Sequence, residues 1–77
     1  MEDTYASPDD LRRVFRELLD QLGSSEAHYD DVWRAARDRG LHVRGATPKK
    51  QRDAVFRALA SDPEVQKVRP GVFSLAK

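Results

Sequence analysis

Cysteine is absent from this 77-residue chain, which excludes disulfide bonds, thiolate metal sites and cysteine nucleophiles. Long hydrophobic runs are absent as well, because no stretch approaches the ~18 apolar residues of a membrane-spanning helix. The opening MEDTYASPDD is acidic and polar, without the apolar segment of a secretory signal. We therefore expect a protein of a reducing compartment, cytoplasmic or nuclear, that has no membrane partner.

The sequence also lacks a set of residues that would form a catalytic or metal site. His28 and His42 are far apart and share no spacing such as HExxH. Asp30 and Asp31 are adjacent on a predicted helix, so their side chains point in different directions, and the helix dipole explains acids in a first turn. No glycine-rich phosphate loop is visible. We expect no enzyme activity, no cofactor and no metal.

Charge is distributed unevenly along the chain. The composition, 39% hydrophobic and 35% charged with a formal net charge of +1, is typical of a small globular domain. Residues 1–38 contain ten acids and five bases, a balance of −5, whereas residues 39–77 contain nine bases and three acids, a balance of +6. Such a division is expected of a domain that faces a polyanion on one side.

Capping signals and apolar periodicity predict three helices. The first begins after a Ser7 cap and ends at Gly23. The second spans about residues 29–39, and the third spans about residues 48–60 after a Thr47 cap. The residues predicted to form the apolar faces are Leu11, Val14, Phe15, Leu18, Leu19, Leu22, Val32, Trp33, Ala36, Val55, Phe56 and Leu59.

The final segment, KVRPGVFSLAK, predicts a β-hairpin. Residues 65–69 and 72–75 form its strands, and the Pro-Gly pair suits the centre of a type II turn or a bulged variant. A lone hairpin is marginal in water, so it should pack on the helices, and residues 26–28 are compatible with a third strand.

These elements predict an α+β fold class, a small winged helix-turn-helix. It has three helices followed by a C-terminal two-stranded β-hairpin, the wing. The domain is expected to cover residues 7–77, after a disordered tail of residues 1–6. At this size one core supplies only ~3–5 kcal/mol of net stability.

The first two predicted helices carry acidic residues in their first turn, as the helix dipole favours, but the third does not. Lys49 and Lys50 stand in its first turn, where acids are favoured, at a cost of about 0.3–1 kcal/mol. A polyanion docked on this end would remove the conflict, and in helix-turn-helix proteins this end of the second motif helix enters the major groove of DNA. Asp53 also lies in this stretch. The residues predicted to bind DNA are Arg44, Thr47, Lys49, Lys50, Gln51, Arg52, Arg57, Lys67 and Arg69.

Four stretches in order, AHYDDV, RDRGL, GATP and VQKVRPGVFSL, resemble the HARE-HTH domain. This winged helix-turn-helix occurs in Asx-like chromatin proteins, restriction-related bacterial proteins and the N-terminal part of the RNA polymerase delta subunit. The resemblance covers about residues 8–77, and HY, TP and RPGVFSL are its most specific parts. It implies DNA binding in transcription, chromatin or modified-DNA contexts. The family has apolar residues where this chain has Gln51 and Arg52.

Two functional classes remain open. In the first, the third helix reads duplex DNA in the major groove and the wing contacts the backbone, with weak affinity near ~10⁻⁴–10⁻⁶ M because few bases are present. This class implies the bacterial nucleoid or the eukaryotic nucleus. In the second, the acidic first half docks on a protein partner or fused domain of a transcription or chromatin complex. RNA binding is disfavoured, since no aromatic strand platform is visible.

Overall fold

The computed structural model describes residues 5–76. Their elements, in chain order, are α1 (Pro8–Leu22), β1 (Glu26–His28), α2 (Tyr29–Asp38), α3 (Pro48–Ser61), β2 (Val65–Arg69) and β3 (Val72–Leu75). The three predicted helices and both strands of the predicted hairpin are confirmed, with ends that differ by no more than a residue. The element order differs in one respect, because β1 lies between α1 and α2. The molecule is a small α+β domain with a three-stranded sheet.

Local signals set the ends of the helices. The Ser7 hydroxyl accepts the Asp10 amide at 3.1 Å, and the Asp10 carboxylate accepts the Ser7 amide at 2.9 Å, which completes a capping box. The bond from the Ser7 amide lowers the pKa of the Asp10 carboxyl group. Gly23, at φ 62, ends α1 in the left-handed conformation. The Thr47 hydroxyl caps α3 by accepting the amide of Lys50 at 3.2 Å.

The start of α2 is joined to the turn of the hairpin. His28 Nδ1 accepts the Asp30 amide at 3.0 Å, so a histidine ring takes the capping role usual for Ser or Asp. Gly71 packs on this ring: a Cβ there would lie 2.7 Å from His28 Nε2, and its φ of +79 favours glycine. The Tyr29 amide donates to the Gly71 carbonyl at 3.0 Å. The Pro-Gly turn is therefore held against the helices.

The sheet is antiparallel, in the order β1–β3–β2, with β3 at its centre. Phe73 of β3 pairs with Ala27 on one side and Lys67 on the other. A register shift between Lys67 and Arg69 gives the bulged form of the hairpin. The hairpin has two strands, as predicted, and Glu26–His28, which the sequence left compatible with a strand, pairs with β3 to complete a three-stranded sheet. Three residues carry no periodicity of their own, and their strand conformation comes from pairing with β3.

One hydrophobic core joins the helices to the sheet, and its largest fully buried side chains are Phe15, Phe73, Leu59, Val32 and Val55. Trp33 is 6% exposed, which confirms its predicted place on an apolar face. Leu22 was predicted on the α1 stripe but is 56% exposed, because it ends the helix beyond the packed stripe. Phe56 is partly buried and contacts the rings of Tyr29 and Phe73 edge to face.

An ion pair between Arg12 and Asp62 connects α1 to the C-terminal end of α3. The Asp62 carboxylate, with a side chain 2% exposed, accepts Arg12 Nε at 2.6 Å. Arg12 also contacts Glu64 at 2.8 Å and Asp9 at 3.1 Å. Burial opposes ionisation of Asp62, but the bonds from Arg12 and from the Glu64 amide outweigh it and lower the pKa of the carboxyl group. The Asp62 bond raises the pKa of Arg12.

Most of the predicted tail, residues 1–4, lies outside the described residues. Of the rest, Tyr5 forms a parallel bridge with His42, and the Ala6 amide donates to the His42 carbonyl at 2.7 Å. No helix within residues 5–76 is long and apolar enough to cross a membrane.

Phe73→Ala is expected to lower the free energy of unfolding by about 3–5 kcal/mol, since it empties a fully buried site at the centre of sheet and core. Urea denaturation at neutral pH measures this value. Val68→Ala is the control in the same hairpin, because Val68 is 43% exposed and should change stability by less than about 0.5 kcal/mol. Equal effects of the two substitutions would contradict the described packing.

Acid is expected to destabilise the fold through Asp62 and Asp10. A carboxyl group whose folded pKa is lowered stabilises the fold above its unfolded pKa, about 3.9 for Asp, and this contribution is lost as the pH falls through the folded pKa. Urea denaturation from about pH 6 to pH 2.5 should show the loss beginning near pH 4. Asp62→Asn should be less stable at pH 6 and show a shallower decline. Parallel curves would contradict a role for the Asp62 carboxylate.

Candidate nucleic-acid interface

The outer face of α3 presents the predicted cations to solvent. Its buried side carries Val55 and Leu59, which are 0% and 1% exposed. Of the three described helices, α3 alone has no acid in its first turn, so the departure from the dipole rule is a property of the folded helix. The charged residues exposed on α3 are Lys49, Lys50, Asp53 and Arg57.

The loop before α3 adds a cation across an open groove of about 580 Å³. Gly45 lets this loop approach the helix closely: its φ is +143, and a Cβ there would lie 2.6 Å from the backbone nitrogen of Gln51. We call this cavity the α3 groove. The residues that line it are Arg44, Gly45, Lys50, Asp53, Ala54 and Arg57.

Tyr5 contacts Arg44, one of the residues that line the α3 groove. The guanidinium carbon of Arg44 lies 5.1 Å from the centroid of its ring, a cation–π contact. The bridge between Tyr5 and His42 holds the aromatic ring beside this loop. Sequence reasoning missed Tyr5 because it placed the residue in a disordered tail. An aromatic residue within an otherwise polar segment was the only local signal.

Gln51 and Arg52 contact α2 and the preceding loop instead of the α3 groove. Gln51 Oε1 accepts the Trp33 indole N–H at 3.1 Å, and its amide donates to the Gly45 carbonyl at 3.3 Å. Arg52 lies over the Trp33 ring, 5.4 Å from the centroid, and 3.6 Å from Asp30 Oδ1. These two side chains connect α3 to α2 and to the loop before α3. They therefore do not belong to the group of exposed cations that line the α3 groove.

The predicted cations of the hairpin make contacts within the domain. Lys67 Nζ lies 5.8 Å from the centroid of the Phe56 ring. Arg69 forms an ion pair with Glu26 of β1, although 64% of its side chain stays exposed. The Thr47 hydroxyl is engaged in its cap. The predicted site residues that the structure brings together at the α3 groove are Arg44, Lys50 and Arg57, with Lys49 exposed on the same helix.

A second open groove, of about 490 Å³, lies between α1 and α2. Leu18 and the exposed Leu22 form part of its wall, together with Ala35. Acids and arginines alternate around them, so this groove has no dominant sign of charge. The charged residues that line it are Asp31, Arg34, Asp38 and Arg39.

The α3 groove combines three cations with one carboxylate on a solvent-exposed surface. Across the described part of the chain, no group of three or more His, Asp or Glu side chains could hold a metal ion. No protein-family model, curated protein or solved structure matches this chain. The function of the groove is therefore inferred from its own residues and geometry.

Gln51→Ala is expected to lower the free energy of unfolding by about 1–3 kcal/mol, because the buried Trp33 indole N–H would lose its acceptor. Lys50→Ala, one residue earlier on the exposed side, should change stability by less than about 0.5 kcal/mol. Urea denaturation of both variants distinguishes the structural side of α3 from the exposed side. A larger loss from Lys50→Ala would reverse this assignment.

Proposed function

We propose that this domain binds duplex DNA as a winged helix-turn-helix of the HARE-HTH type, with the exposed face of α3 in the major groove. Three helices packed on an antiparallel sheet of order β1–β3–β2 support the winged-helix assignment. The 14-residue α3 helix has a diameter of about 10–12 Å with its side chains, which suits a major groove ~12 Å wide. Transcription, chromatin or modified DNA is the proposed context.

The observation that carries this proposal is the cluster of cations on the exposed face of α3 that are unpaired in the described part of the chain. On α1 and α2, Arg12, Arg16 and Arg34 lie within 4 Å of a carboxylate, and Arg13 and Arg37, also unpaired there, stand on separate helices. Within residues 5–76, no carboxylate lies within this distance of Lys49, Lys50 or Arg57. Lys49 and Lys50, in the first turn, oppose the helix dipole, and like charges on one face repel one another, so DNA phosphates would relieve both effects.

Arg44 and the hairpin would contact the phosphates of the DNA backbone. Arg44 borders the α3 groove and is exposed, so it would lie next to a phosphate when α3 enters the major groove. The hairpin turn packs on His28 and does not extend as a long wing. Lys67 and Arg69 would therefore add only peripheral contacts. With so few phosphate contacts, affinity for random duplex should remain near the nonspecific range of ~10⁻⁴–10⁻⁶ M.

Protein docking is the alternative function. The groove between α1 and α2 is its candidate surface, because Leu18, Leu22 and Ala35 form an apolar part of the groove wall. A docking module would show no affinity for duplex DNA at any salt concentration. The same titration therefore separates the two functions.

DNA binding is expected to weaken log-linearly with salt, with a slope of about 0.9 per phosphate neutralised. Fluorescence anisotropy of a labelled random duplex between about 50 and 200 mM salt measures the slope. Lys49→Glu combined with Lys50→Glu should abolish binding. The fold should stay intact, because acids in a first turn stabilise the helix.

Arg13→Glu combined with Arg37→Glu is the matched control, because across residues 5–76 no carboxylate lies within 4 Å of either arginine. It makes the same change in net charge at exposed positions of α1 and α2, and it should weaken binding far less because only the general field changes. Equal losses in the two double variants would show that charge alone matters and that α3 is not the contact surface. No binding by the unaltered protein would favour the docking function.

A further inference from the structure

A single carboxylate stands among the cations of the α3 groove. Asp53 is exposed and lines the same open space as Arg44, Lys50 and Arg57. Lys49 and Arg57 are each four residues away, a spacing at which helical ion pairs form. Nevertheless, across residues 5–76 no cation lies within 4 Å of the Asp53 carboxylate. The carboxylate remains available to a ligand.

Asp53 is unfavourable for contact with phosphate but suited to one base edge. Phosphate oxygens carry negative charge and repel a carboxylate at short range. A surface that contacted only the DNA backbone would bind better with a neutral residue there. In the major groove, cytosine presents its N4 amino group as a donor, and Asp or Glu accepts from it. Adenine also presents an amino donor, N6, but the N7 acceptor beside it repels a carboxylate, so cytosine is the better match among the four bases.

The neighbours of Asp53 complement this chemistry. Lys50 lies about 4.5 Å before it along the helix axis, and Arg57 lies about 6 Å after it. Stacked bases are about 3.4 Å apart, so the three side chains are spaced to meet neighbouring base pairs. Lys and Arg donate to O6 and N7 of guanine, the base that pairs with cytosine. One exposed stripe therefore carries the groups for both members of a G·C pair.

We propose that Asp53 selects cytosine, and that Lys50, Asp53 and Arg57 together give this domain a preference for G·C-containing sequence. The inference rests on the proposed DNA-binding function and deepens it by naming the base that α3 recognises. Arg44 contacts phosphate across the groove and supplies affinity without base preference.

Selection from a random duplex library at about 50 mM salt, with sequencing of the bound DNA, tests the proposal. The unaltered protein should enrich cytosine next to guanine, with a preference of about fivefold over adenine at the Asp53 contact. Asp53→Asn should shift that position to adenine, because an amide bonds to adenine N6 and N7. Asp53→Ala should lose the preference and bind random DNA at least as tightly, since the repulsion of phosphate is gone.

Asp38→Asn is the matched control. It removes one negative charge beside the groove between α1 and α2, away from the α3 groove, and it should retain the cytosine enrichment. Thermal melting of each variant verifies folding. Salt-dependent binding without cytosine enrichment, or enrichment unchanged in Asp53→Asn, would overturn this inference and leave the proposed function standing. No salt-dependent binding by the unaltered protein would overturn both.

Discussion

The fold depends on the packing of Phe73 at the centre of β3. Its ring is fully buried, its backbone lies between β1 and β2, and it meets Phe56 of α3 edge to face, with ring centroids 5.5 Å apart. A sheet of nine hairpin residues and a three-residue strand would be marginal alone. The contact between Phe73 and Phe56 attaches the sheet to the helices. A second attachment is made at the start of α2, where Gly71 in the turn packs on the His28 ring.

This packing also decides which side of α3 faces solvent. Once Phe56 meets the sheet and Val55 enters the core, Gln51 is turned toward Trp33 and the loop carbonyl of Gly45. Adjacent side chains on a helix point in directions about 100° apart around the helix axis. Lys50 and Gln51 therefore have different roles although they are neighbours in the sequence. A polar residue at position 51 keeps the Trp33 indole N–H satisfied within a buried site.

The sequence allowed the helices and the hairpin to be predicted because their signals are local. Caps such as Ser7 and Thr47, and the Pro-Gly turn, act within a few residues. The strand β1 has no such local signal, because its three residues form a strand only when they pair with β3. The candidate site was predicted in part: the charge of α3 was visible, but the division between exposed Lys50 and internally bonded Gln51 depends on long-range packing. The Arg69–Glu26 pair and the Tyr5–Arg44 contact join residues 43 and 39 positions apart, respectively, so no local pattern indicated them.

Lys50 of α3 and Arg12 of α1 differ in what lies opposite their positive charge. Arg12 has three carboxylates around it, and one of them, Asp62, is buried in the same interface. That network stabilises the junction of α1 and α3 and leaves Arg12 unavailable to a ligand. Lys50 lies at the other end of α3, against the dipole, at a cost of about 0.3–1 kcal/mol in a domain whose net stability is only ~3–5 kcal/mol. Pairing within the fold would remove that cost, and in the proposed complex the phosphates of a DNA duplex would supply the missing anion.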